Sequence, residues 1–118
     1  MNYLQATQEI ANSIPEICND LKKASIHNSY HMIEFLTDKM NTMIRQNNTN
    51  CLFRCIQKMN ELYREGDSSI KSAIENSFIF SLDNCTAFCS REYRDHIFGH
   101  LSDTLQKVYS RQIYSHHV

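Results

Sequence analysis

The stretch Cys51-Leu52-Phe53-Arg54-Cys55-Ile56-Gln57-Lys58-Met59-Asn60-Glu61-Leu62-Tyr63-Arg64-Glu65-Gly66-Asp67-Ser68-Ser69-Ile70-Lys71-Ser72-Ala73-Ile74-Glu75-Asn76-Ser77-Phe78 decides the fold. In its first half Leu52, Cys55, Ile56, Met59, Leu62 and Tyr63 return at helical intervals, which places them on one face. Gly66 then stands where a left-handed C-cap would end that helix, and Asp67 or Ser68 can cap the next at once. Ile70, Ala73, Ile74, Ser77, Phe78 and Leu82 carry the second stripe. Two helices joined by so short a turn must lie side by side as an αα-hairpin, with Asp83-Asn84-Cys85-Thr86 as the next turn.

Outward from this hairpin the pattern stays helical. Asn2-Tyr3-Leu4-Gln5 reads as an N-cap with Gln at the third helical position. Ser13-Ile14-Pro15-Glu16 repeats the device with proline in the first turn, so residues 1–24 form one kinked helix or two short ones. A helix from about Ser29 buries Ile33, Leu36, Met40, Met43 and Ile44. The polar run Gln46-Asn47-Asn48-Thr49-Asn50 is the linker before the hairpin. Ser90 caps a long final helix with Tyr93, Ile97, Leu101, Leu105 and Val108 on one face and Ile113 beyond. Tyr114-Ser115-His116-His117-Val118 is expected to fray. With 118 residues, 2 glycines and 1 proline, the expectation is a single all-α domain over 1–118, a bundle of four to six amphipathic helices around a central αα-hairpin.

Lys and Arg number 12 against 13 for Asp and Glu, and the two signs are mixed along the chain. That removes the broad basic face expected of a phosphate-tracking nucleic-acid binder. The turn at Gly66-Asp67 could belong to a helix-turn-helix, but the following helix offers only Lys71 as a cation against Glu75 and Asp83. No apolar run approaches the ~18 residues of a membrane span. The N-terminus lacks a secretory pattern, and an odd count of 5 Cys suits reduced thiols, so the expected setting is the cytoplasm.

Cys51, Cys55, Cys85 and Cys89 form two pairs spaced four apart and could close a tetrahedral zinc site or a redox switch. The competing reading, and the one adopted, is of thiols packed as small hydrophobes. His27 with His31, and His96 with His100, are also four apart. Neither pair carries the glutamate of an HExxH hydrolase, and they read as surface or half-buried histidines. Phosphate-binding glycine loops and the GxSxG nucleophile elbow are absent from the sequence, so no enzyme, catalytic residue or cofactor is expected.

The segment from Phe53 to Phe78, with its Glu65-Gly66-Asp67 junction and the Ala73-Ile74 pair before an apolar run, resembles the middle of a small all-helical bacterial family. Ser13-Ile14-Pro15-Glu16-Ile17 is similar to that family's N-terminal segment, and the likeness is concentrated in residues 53–82. Such proteins resemble immunity proteins, which bind and block a cognate toxin. The resemblance implies a non-enzymatic protein-binding module whose partner is another protein, a cognate toxin in its specific form. A metal-binding or redox-sensing domain built on the paired cysteines is the alternative. Arg and Tyr dominate interface hot spots, so the expected partner-binding face is the helix junction with Tyr63, Arg64, Glu65 and Asp67. The outer side of the last helix, with Glu92, Arg94, Asp95 and Tyr109, is second.

Overall fold

A computed structural model describes residues 1–116, with side chains through residue 112. Helix α1 (Tyr3–Ser13) is opened by the expected capping box: Asn2 Oδ1 accepts from the Gln5 amide and Gln5 Oε1 from the Asn2 amide, each at 3.0 Å. A 3-10 turn (Pro15–Ile17) leads into α2 (Cys18–Lys23). Ser13 does not cap it; Ile14 occupies the cap position without a side-chain bond, and Pro15 alone sets the kink. Asn28 caps α3 (Ser29–Arg45). The linker before α4 (Thr49–Glu65) is shorter than the polar run suggests, because Asn47 turns the chain at φ 54°, a left-handed conformation asparagine tolerates.

Helix α3 is central: it touches α1, α4, α5 (Ser68–Ala73), a π turn (Ile74–Phe78) and α6 (Ile79–Cys85). The last three run on as one rod over 68–85. Its π turn inserts an extra residue into the helical ladder and rephases the apolar stripe. Ile79 is therefore buried and Ser77 only half-buried, where an unbroken α-helix had Ser77 on the core face. The turn expected at residues 83–86 is still helical through Cys85, and the chain turns at Thr86 to Cys89 instead. Thr86, fully buried, satisfies its hydroxyl on the Leu82 carbonyl at 2.7 Å.

Ser90 does cap α7 (Arg91–Gly99), but the long final helix is broken, and α8 (Asp103–His116) is a separate rod. With residues 68–85 counted as one rod, that break makes seven helices among the described residues where at most six were expected. Each stripe residue Ile97, Leu101, Leu105 and Val108 is nonetheless buried, so the break preserves the face and changes only the axis. The described part of α8 reaches His116. The expected fraying of His117 and Val118, and the side chain of Ile113, lie outside the described residues. One hydrophobic core runs from Ala6 to Val108 and includes Ile33, Leu36, Met40, Ile56, Met59, Leu62, Ile74, Phe78, Ile97, Leu101 and Leu105. Among the described residues no helix is long and apolar enough to cross a membrane.

Gly66 joins α4 to α5 at φ −72° and ψ 159°, extended backbone open to any residue, so the left-handed cap does not form. Glycine is needed for closeness instead. A Cβ there would sit 2.6 Å from Ile70 Cγ2 and also strike the Leu62 carbonyl oxygen, whereas one on Gly99 would meet nothing within 4 Å. Gly66→Ala should therefore cost about 1–3 kcal/mol of stability through overpacking. Gly99→Ala should leave stability unchanged or raise it slightly. Urea denaturation of both variants checks this, and equal midpoints would refute the close approach at Gly66.

Candidate functional site

The break between α7 and α8 is held by a residue 40 positions away. Asn60, on α4, donates from Nδ2 to the His100 carbonyl and accepts at Oδ1 from the Ser102 amide, both at 3.0 Å. One side-chain amide thus satisfies a carbonyl at the end of one helix and an amide at the start of the next. Ser102 Oγ accepts from the Leu105 amide at 3.3 Å, and Gln106 Nε2 donates to the Leu101 carbonyl at 3.0 Å, completing the caps.

This clasp sets the start of α8 beside the α4–α5 junction. An open groove of about 300 Å³ lies between them, lined by Asn60, Tyr63, Arg64, Lys71, Ser102 and Thr104. Of the four expected contact residues, Tyr63 and Arg64 line the groove. Glu65 is exposed at the junction and meets Arg64 at 3.6 Å. Its carbonyl accepts from the Met1 amine at 3.2 Å. Asp67 serves the fold instead, because its carboxylate accepts from the Ile70 amide at 3.0 Å and caps α5. Tyr63 Oη donates to Glu75 Oε1 at 2.5 Å. Burial and that carboxylate together push the Tyr63 phenol up to about 12. Lys71, Ser102 and Thr104 are additions to the expected face, because nothing in the sequence ties residues 102–104 to residues 60–71.

The second expected face is engaged internally. Arg94 donates to Asp83 Oδ1 at 2.7 Å and to Tyr109 Oη at 2.6 Å, and Tyr109 donates to Asp83 at 2.8 Å. The guanidinium also lies 5.0 Å from the Phe98 ring centre. This triad ties α6, α7 and α8 together, which leaves Glu92 and Asp95 as the outward groups of that surface.

The thiols do not assemble into one centre. Cys51 and Cys55 are buried, and Cys55 Sγ packs 3.7 Å from Met43 Sδ. Burial first, then the neighbouring Cys51, pushes the Cys55 thiol up to about 12. Cys85 and Cys89 are half-buried, and burial raises the Cys85 thiol as well. Among the described residues no three His, Cys, Asp or Glu side chains come together as a metal-holding group. His27 and His31 meet edge to face at 5.9 Å. His96 and His100 stack in parallel at 5.0 Å and lie against Phe53, whose ring centre is 3.8 Å from that of His100.

A family model described as a domain of unknown function (DUF7674) matches residues 7–115. No curated protein and no solved structure matches the chain.

The Tyr63–Glu75 bond has a consequence for pH. Because the folded phenol binds its proton more tightly than the ordinary value of 10.0, its contribution to stability is complete below pH 10. It is lost as pH rises from 10 towards 12. Thermal melts across this interval should fall more steeply for the parent than for Tyr63→Phe, and parallel curves would contradict the buried bond.

Proposed function

The chain belongs to the DUF7674 family, and from its surface chemistry we propose that it is a non-enzymatic protein-binding module that uses the α4–α5 junction. The observation that carries this reading is the groove in which Tyr63 and Arg64 stand beside Lys71. Tyrosine and arginine supply large contact area and directional bonding at interface centres. Here both stand on α4, with Lys71 on α5 across a turn of two residues, so little ordering cost is left to binding. In its specific form the module is a bacterial, cytoplasmic immunity-type protein that sequesters a cognate toxin, which the resemblance over residues 53–82 supports.

The reading is tested by coexpression with the product of the neighbouring reading frame in its genome. A stoichiometric complex is expected. Arg64→Glu should weaken it more than tenfold, about 1.4 kcal/mol, with the helical circular dichroism unchanged, and Glu65→Lys probes the opposite charge at the same junction. Asp67 is left intact, since reversing a helix cap would act through the fold. Absence of a complex, or a complex indifferent to both variants, would overturn the proposal.

A further inference from the structure

Thr104 stands at the edge of the junction groove. The same residue lines a second, larger groove of about 860 Å³ along α8, with Asp103, Gln106, Lys107, Ser110 and Arg111. Together the two are lined among the described residues by four cations, Arg64, Lys71, Lys107 and Arg111, and one carboxylate, Asp103. The chain as a whole carries a net charge of −1. Charges that balance along the sequence are therefore segregated in space. The other lining residues, Asn60, Tyr63, Ser102, Thr104, Gln106 and Ser110, carry hydroxyls and amides that can bond to oxygen ligands. Leu105 and Val108 anchor α8 in the core, which fixes its outer face.

Resting on the binding-module reading, we propose that these two neighbouring grooves receive an acidic segment of the partner protein, its carboxylates meeting Arg64, Lys71 and Lys107. Lys71 and Lys107 are exposed and have no ion-pair partner among the described residues. From Thr104 to Arg111 the helix rises about 10 Å, the length of roughly three residues of extended chain. A short acidic stretch matches that reach. A nucleic acid fits less well, because its binders neutralise many phosphates over a longer track than these four cations span.

The test is an NMR titration of the full chain with an octaglutamate peptide, with octalysine and a single-stranded octadeoxynucleotide as comparators. Octaglutamate should shift the amides of residues lining the two grooves. Lys71→Glu combined with Lys107→Glu should weaken it at least tenfold while the circular dichroism holds. Three results would overturn the proposal: shifts absent or scattered over the surface, tighter binding of the oligonucleotide at the same residues, or unchanged octaglutamate affinity in the double variant. The two readings fail separately. A double variant that keeps full affinity for the neighbour-encoded protein sinks the acidic segment and leaves the binding module, whereas a parent chain that forms no such complex sinks the module.

Discussion

The side-chain amide of Asn60 is the constraint on which the groove at the α4–α5 junction depends. Its two bonds, to the His100 carbonyl and the Ser102 amide, close the ends of α7 and α8 against α4. Each such bond contributes only about 0.5–1.5 kcal/mol net, so the clasp acts through the geometry it fixes. Without the clasp nothing else among the described contacts reproduces this pairing at both ends of the break. With it, Ser102 and Thr104 stand opposite Tyr63, Arg64 and Lys71, and a groove exists.

A second constraint operates in the core. The rod over residues 68–85 must bury Ile70, Ala73, Ile74, Phe78, Ile79 and Leu82 against α3, and no unbroken α-helix places all of them on one face. The π turn at Ile74–Phe78 resolves this. It also positions Glu75, which takes the Tyr63 hydroxyl, and Asn76, which reaches Tyr30 at 3.3 Å. Core packing thus reaches the junction groove through Tyr63, whose phenol is committed to Glu75 while its side chain lines the groove.

Local signals are legible in the sequence, and distant ones are not. The Asn2–Gln5 capping box, the Ser90 cap, the Asp67 cap and the period of the stripes each involve residues within a few positions, and the structure carries them except where the π turn rephases the stripe at Ser77 and Ile79. The α7–α8 break escapes a sequence reading because Ile97, Leu101 and Leu105 keep a helical period across it, and its cause lies on α4. Gly99 and the Ser102–Leu105 cap are the only local hints. At Gly66 the sequence marks the right place for a different reason: the turn needs a missing Cβ rather than a left-handed backbone. The candidate site is half legible, since Tyr63 and Arg64 are on the groove while Asp67 is spent on a cap. The cationic lining is invisible in the sequence because its members come from three helices separated along the chain, and balanced composition conceals such clustering.

The central claim is that Asn60 fixes the break and with it the groove. Native-state hydrogen exchange at the Ser102 amide tests it most directly, because that N–H has the Asn60 side chain as its acceptor. The Ser102 amide should be protected in the parent chain and lose that protection in Asn60→Ala, with core amides such as those of Leu36 and Ile56 still protected. A Ser102 amide that exchanges freely in the parent, or that stays protected when Asn60 is removed, would contradict it.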